Sequence, residues 1–390
     1  MKTMPSLLAP AGNMRALQTA LRFGADAVYC GAKQYGLRAQ ANNFDEKQLE
    51  EAVRLAHAAG AQVNLTLNIF AFDGDLDGMV RTAQRARDIG VDAAIVSDLG
   101  AIARIAREVP GLDVHVSTQA STTNSESARV YKALGAKRVV LAREMTFEQI
   151  EAMSASIGDE IELETFIHGA ACMSYSGRCM LSSFLNGRSA NRGACSQPCR
   201  WTYTLHERTR PEEAMPIEED ERGTAILSSR DICMMEHLPR LMESGVCCFK
   251  IEGRMKTEIY IATVVGAYRR AMDAYAESPA GYRADAALQR RLRGELDKIS
   301  HRVYDTGFYF GQPKVCGEAL VEMKNRFFVG DELETVTPKG SEKLVIEDIV
   351  IERTGEHVGV VNVPMERVRI PCGGKLQAGD MLRGPVRNRA

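Results

Sequence analysis

The feature that most constrains this chain is an alternation of short apolar, β-rich runs with helix-length amphipathic runs over roughly its first 275 residues. Strand patterns lie at 7–11, 27–31, 62–68, 93–97, 113–118, 138–143, 161–167 and 247–253. Helical patterns fall between and after them, at 13–23, 46–59, 78–88, 101–108, 126–134, 147–154, 235–243 and 258–277. Asn13 is suited to cap the first helix, and Gly24 and Gly60 to stop the first two, as left-handed glycines do. Eight strands alternating with helices over this length predict an α/β fold of the TIM-like (β/α)8 barrel type. A doubly wound sheet is the alternative, but no glycine-rich dinucleotide fingerprint follows the first strand, as that fold's nucleotide-binding members require.

Successive strand residues point to opposite faces. One face of the third strand reads Asn64, Thr66, Asn68, and one of the fifth His115, Ser117, Gln119. The seventh gives Glu162, Glu164, Phe166, His168, and the last Lys250, Glu252, Arg254. The opposite faces are apolar and belong against the helices, so these polar sets are expected to face the barrel interior. Barrel interiors are ordinarily filled by branched apolar side chains, and buried charge is costly unless paired. A polar interior therefore reads as a binding cavity; the competing reading is a set of structural ion pairs joining Glu162 or Glu164 to Lys250 or Arg254. The residues nearest the C-terminal strand ends are the site candidates: Asn68, Gln119, Arg143, Glu144, Glu164, His168, Glu252 and Arg254.

Between the seventh and eighth strands the pattern breaks. The segment 168–200 is rich in Gly, Ser and Asn and carries Cys172, Cys179, Cys195 and Cys199 in a C-x6-C-x15-C-x3-C array, with Cys233 following after 33 intervening residues. Long irregular insertions of this kind are usually functional. The N-terminus lacks a signal-peptide core, and no stretch reaches the ~18 apolar residues of a membrane span, so the expected location is the cytoplasm. There, clustered thiols more often bind metal or do redox chemistry than form disulfides. Structural zinc favours closely spaced pairs, which only Cys195 and Cys199 supply; an iron–sulfur cluster tolerates looser spacing and is preferred over zinc. A Cys–His nucleophile pair using His168 is a further option. Cys30, Cys247, Cys248, Cys316 and Cys372 sit in apolar or strand-like surroundings and read as ordinary buried thiols.

With a net charge of −2, the chain has no overall basic field, so any nucleic-acid contact must come from a local patch. The barrel with its cysteine loop is expected to occupy 1–278, a charged helical connector 279–320, and a small β-barrel domain of short strands 321–390. The tail from Arg367 to Ala390 carries six Lys/Arg against one acid, which suits either an RNA-facing patch or a solvated tail.

The run ETFIHGAACMSYSGRC at 164–179, together with RGACSQPCRW at 192–201, FKIEGRMKTEIYIATVVGAYRRA at 249–271, APAG at 9–12 and VYCGAK at 28–33, resembles peptidase family U32, the collagenase-like peptidases. The β-rich extension beginning NRFFVGDELE resembles the longer members of that family, which act in tRNA hydroxylation. The resemblance implies O2-independent 5-hydroxylation of wobble uridine in tRNA, with a 4Fe-4S cluster as cofactor and prephenate as co-substrate. Cluster ligands carried over are Cys172, Cys179, Cys195 and Cys233, with Cys199 the exchange candidate for Cys233 and Cys30 a further alternative. Arg143 and Arg254 would clamp the two carboxylates of prephenate, since guanidinium forks suit carboxylates, and Glu164 or His168 would handle protons; Asn68, Gln119, Glu144 and Glu252 complete the substrate site. Implied partners are tRNA, a small dicarboxylate, and a second family member or second copy of the chain, with no membrane. The rival readings are a peptidase, although no Ser-His-Asp set or HExxH motif is visible, hydroxylation of an rRNA cytidine or a ubiquinone precursor, and a redox-sensing binding protein.

Overall fold

The structure is a computed structural model that describes residues 4–38, 42–172, 174–200, 204–207, 210–216, 230–302, 304–311, 318–322, 326–336, 341–352, 356–361, 363, 366–372, 376 and 381–384. Cys316 and most of the basic tail lie outside these residues. The chain forms two units, Met1–Tyr203 with Ala225–Gly311, and Thr204–Thr224 with Gln312–Ala390.

In the first unit, β1 (Ser6–Pro10), β2 (Ala27–Gly31), β3 (Gln62–Leu67), β4 (Ala93–Val96), β5 (Asp113–Val116), β6 (Arg138–Val140) and β7 (Glu162–Ala170) run parallel in sequence order. The hairpin β8 (Thr204–Glu207) and β9 (Arg210–Pro216) belongs to the second unit. The short β10 (Asp231–Cys233) pairs antiparallel with the overhanging end of β7, and β11 (Cys248–Ile251) closes the barrel by pairing with both β7 and β1. The helices α1 (Met14–Arg22), α2 (Glu46–Ala58), α3 (Asp73–Ile89), α4 (Leu99–Glu108), α5 (Ser125–Ala133) and α6 (Phe147–Ile157) fill the connections, α7 (Leu181–Asn186) lies in the cysteine loop, and α8 (Leu238–Glu243) and α9 (Glu258–Glu277) flank β11. The eightfold alternation thus closes as a TIM-like barrel. Asn13 caps α1 by accepting Ala16 N–H, and Asp45 and Gln48 form a capping box on α2, which fixes where each helix leaves its strand.

The outward strand residues, such as Leu7, Val28, Leu65, Val114, Leu163 and Phe249, join the helices in one large core. Inside, a small separate apolar cluster of Leu8, Ala27, Tyr29, Ile95 and Cys248 fills part of the barrel. The helices α10 (Pro279–Ala284) and α11 (Ala286–Leu296), expected as a connector, pack on α9 as part of the barrel unit, and β12 (Tyr304–Asp305) extends the sheet beside β10. Besides the β8–β9 hairpin, the described residues of the second unit form three small antiparallel sheets, from β13 (Glu318–Glu322) to β20 (Met381–Arg383), around a core of Phe327, Leu333, Ile346, Ile349, Val368 and Ile370.

Two departures from strict alternation matter for function. The strand β5 ends at Val116, and residues Thr118–Ala120 form a 3-10 turn with Ser117 accepting Gln119 N–H. In β7 the register against β11 slips: Lys250 pairs with Phe166, but Ile251 pairs with His168. This bulge puts Ile167 and His168 on one face, so His168 follows Ile251 toward the helices. The expectation that His168 faces the interior is therefore corrected.

Candidate active site at the barrel mouth

Two groups of charged side chains occupy the interior. The lower group centres on Glu164, which is fully buried. Its Oε1 accepts from Lys250 Nζ at 2.8 Å and its Oε2 from Arg138 Nη1 at 3.3 Å, while Arg138 also pairs with Glu162 at 2.7 Å. Burial pushes the Glu164 pKa up, but Lys250, Arg138 and the nearby His115 outweigh it and hold the carboxyl at about 2. His115 is pushed down to about 3, first by burial and then by the cations Arg138 and Lys250. At neutral pH, then, Glu164 is ionised and His115 is neutral. Glu164 with Lys250 realises the structural ion pair that competed with a catalytic reading, and a carboxylate so held has no proton to give.

The upper group surrounds Glu252. Arg38 Nη2 approaches its Oε1 at 3.5 Å and Arg143 Nη2 its Oε2 at 3.6 Å, and the Tyr29 hydroxyl, which donates to Ile251 O at 3.0 Å, lies 3.5 Å from Oε2. Burial raises the Glu252 pKa, yet Arg38, Arg143 and Arg254 together bring it below the ordinary carboxylate range. Arg254 is buried and donates to two neutral groups, Thr66 Oγ1 at 2.9 Å and Asn43 Oδ1 at 2.6 Å. The Nε atoms of Arg143 and Arg254 are buried without a hydrogen-bond partner, as are both side-chain polar atoms of Gln119 and of Asn64. Buried polar groups are ordinarily satisfied, so these unmet groups in the barrel interior mark places for a ligand or ordered water. Phe166 and Tyr29 link the two groups: Lys250 Nζ lies 4.6 Å from the Tyr29 ring centre, and the Arg143 guanidinium stacks on Phe166 at 3.9 Å.

The backbone makes room for this arrangement. A Cβ on Gly31, at the end of β2, would stand 2.2 Å from Arg254 Nη2 and 2.8 Å from Asn43 Oδ1, so only glycine leaves the guanidinium in place. Asn68 accepts Leu37 N–H at 3.1 Å and so positions the adjoining Arg38, whose φ of 72° is left-handed. Asn68 is thus a positioning residue.

The cysteine loop is tied to the C-terminal ends of several strands. Ser176 N–H and Oγ–H donate to the Glu144 carboxylate at 2.5 and 2.6 Å, Arg178 Nε donates to Gln119 O at 2.6 Å, and Arg192 donates to Phe70 O and pairs with Asp75 at 2.7 Å. Glu144 is therefore an anchor for the loop. Cys179 immediately precedes the turn into α7 and its Sγ accepts Leu181 N–H; Cys195 Sγ accepts Gln197 N–H and Ser182 Oγ–H; the turn holding Cys199 packs on α7. Arg38 lies near Cys195 and Cys172, which places these two thiols beside the mouth. Amide N–H groups directed at sulfur are the second-shell feature that tunes thiolate metal sites.

Cys233 lies elsewhere. It pairs across β10 and β7 with His168, and both turn toward the helices, where Arg293 Nη1 comes within 3.8 Å of its Sγ. Burial pushes its thiol pKa up. His168 is enclosed by Tyr260, Tyr268 and Tyr304, and its pKa is pushed down to about 3 by burial and by neighbouring cations. Cys30 also faces the helix core, its thiol pushed up to about 12 by burial. Among the described residues no three His, Cys, Asp or Glu side chains stand at ligand spacing around one point. Of the sequence-derived site, the structure brings together Arg143, Glu252 and Arg254 at the mouth, buries Gln119 on the turn after β5 beside the cysteine loop, and sets Glu164, His168 and Cys233 apart. Arg38, Asn43 and Arg138 were missed. Arg38 lies in the loop after β2, where barrel chemistry is usually found, and that position was the available signal.

Residues 12–318 match the family model described as Peptidase family U32, and residues 307–383 match Peptidase family U32 C-terminal domain. The chain belongs to this family. It is 35% identical to the tRNA hydroxylation protein P1 of Bacillus subtilis (strain 168), over 97% of this chain and 94% of that protein. It is 33% identical to the tRNA hydroxylation protein P of Escherichia coli (strain K12), over 88% of each. It is also 31% identical to a collagenase of Porphyromonas gingivalis, over 98% of this chain and 95% of that protein.

Proposed function

We propose that this protein is a tRNA hydroxylase that forms 5-hydroxyuridine at the wobble position, drawing its hydroxyl group from prephenate rather than from O2. The observation that carries the reading is the charge count at the mouth: among the described residues Arg38, Arg143 and Arg254 surround the single carboxylate of Glu252, leaving two positive charges unanswered, with Arg143 and Arg254 largely buried and Arg38 at the solvent edge. A dicarboxylate of prephenate's kind supplies the missing countercharge and meets the unpartnered Nε donors of Arg143 and Arg254 by charge-assisted hydrogen bonds. Tyr29 and Phe166 give this compartment an aromatic floor, which limits water and strengthens those bonds. Gln119 offers an amide to a hydroxyl or carbonyl. The names of the tRNA hydroxylation relatives support the nucleic-acid substrate.

The donor chemistry of the loop suits a 4Fe-4S cluster, with soft thiolates, amide N–H groups at two sulfurs and a guanidinium nearby. We assign its ligands to Cys172, Cys179, Cys195 and Cys199. This replaces Cys233 by the exchange candidate, because Cys233 faces the helix core. When bound, the cluster supplies a one-electron redox centre. Zinc remains the second choice of metal. Glu164 and His168 hold the scaffold in this assignment and carry no protons.

Nucleoside mass spectrometry of tRNA from a deletion strain tests the reading. Loss of 5-hydroxyuridine derivatives is expected, restored by the wild-type chain and not by the Arg143→Gln, Arg254→Gln double variant. Unchanged tRNA together with gelatin cleavage by anaerobically purified protein would instead favour a peptidase. Iron content separates the ligand sets: Cys199→Ser should lose iron and the brown colour, and Cys233→Ser should keep both.

A further inference from the structure

The loop that carries the thiols also presents an unusual outer surface. Phe184 and Met180 are 86% and 77% exposed, more than any other large apolar side chain among the described residues, and Phe72, beside the loop, is 68% exposed. Tyr175 is also exposed. Solvent-facing aromatic and sulfur-bearing side chains carried on one short loop and its neighbour mark an interaction surface. Residues 169–200 include four arginines and no Lys, Asp or Glu, although the chain as a whole is slightly acidic. Arg192 stacks over Phe72 at 4.9 Å and Arg178 over Phe70 at 5.5 Å, while Arg188 is exposed. Among the described residues the segment's only close carboxylate partners are Asp75 and Glu144, which anchor its inner side.

We propose that this outer face of the cysteine loop is a stacking platform for unpaired RNA bases, with Phe184 and Tyr175 receiving bases and Arg188 receiving backbone phosphate. Aromatic faces interleaved with cations are the arrangement that single-stranded nucleic acid requires, since every base has a π face and every linkage a negative charge. The platform stands beside the mouth, because the same loop is anchored to Gln119, Glu144 and Phe70 at the strand ends. A nucleotide leaving the stack would have the cavity next to it. This inference rests on the tRNA reading above and deepens it by naming the residues that hold the loop of the substrate.

The test uses the full-length protein and a fluorescein-labelled anticodon stem-loop RNA, followed by anisotropy across a salt series. Phe184→Ala is expected to weaken binding about tenfold or more, as one lost base–aromatic stack does, and Phe184→Trp to restore it. Arg188→Glu is expected to flatten the dependence of log affinity on log salt, where one phosphate contact on a single strand accounts for ~0.7. Unchanged melting temperature and iron content show that the variants are folded and loaded. Wild-type affinity in Phe184→Ala and Arg188→Glu overturns the platform while leaving tRNA hydroxylation standing. A Phe184→Ala variant that keeps RNA affinity but loses self-association in sedimentation reassigns the surface to protein contact and also overturns it. A wild-type protein that binds no stem-loop and modifies no tRNA defeats the underlying reading instead.

Discussion

Around Glu164, two cations meet two carboxylates: Lys250 and Arg138 are matched by Glu164 and Glu162. Around Glu252, three guanidinium groups share one carboxylate, and two of them leave an Nε without a partner. Both groups come from inward positions of one barrel and are joined through Tyr29 and Phe166. The balanced group is closed and has little left to offer a ligand. The unbalanced one is incomplete as it stands. Charge inside a barrel is thus not by itself a sign of chemistry; unanswered charge with unmet donors is.

The largest expected effect is on the balanced group. Glu164→Gln leaves Lys250 and Arg138 without their shared counterion, and breaking a buried pair from one side costs about 3–5 kcal/mol. Urea unfolding should show a loss of that order; a midpoint equal to wild type would remove the structural reading of Glu164. Next comes the mouth. Arg143→Gln relieves an excess of positive charge, so stability should change little, while kcat/KM for the hydroxylation should fall about 100-fold, within the range for a lost buried charge contact to ligand. If stability fell and activity did not, the comparison between the two groups would be reversed.

The effect smallest at neutral pH is a slope that develops only on acidification. His115 has a native pKa of about 3, below the 6.5 of an ordinary histidine, so between these values the unfolded chain takes up a proton that the native one refuses. Its contribution to stability is complete above pH 6.5 and is lost as pH falls toward 3. Each such group changes unfolding free energy by about 1.4 kcal/mol per pH unit within that window. His115→Gln should flatten the decline by that amount between pH 6 and 4, and His168, also held near 3, should keep the remainder. An unaltered slope would mean that His115 takes up its proton in the native state.

Much of the barrel could be read directly from the chain. Alternation placed all eight strands, and the helix 258–277 was expected where α9 is found. Period two correctly turned Asn64, Thr66, Glu164, Lys250 and Glu252 inward, because side-chain direction in a regular strand depends only on local backbone geometry. The same rule failed at His168. A bulge arises from the pairing of β7 with β11, residues far apart in sequence, and nothing within ETFIHG announces it. Arg38 and Asn43 were invisible for a related reason. They sit in an aperiodic loop with left-handed φ values of 72° and 44°, and their value lies in what they meet, Glu252 and Arg254.

The cysteine loop divides the same way. Its thiols, its arginines and its lack of acids are properties of the segment alone and were fixed by composition. Which thiols share a neighbourhood was decided by α7, by the anchors Glu144 and Asp75, and by the pairing that turns Cys233 toward the helices. The sequence by itself determined the barrel and the chemistry available to it, because strand period and residue type are local. Only the tertiary structure decided which charges are satisfied and which are left for a ligand, because the balance of a buried group depends on every strand that contributes to it.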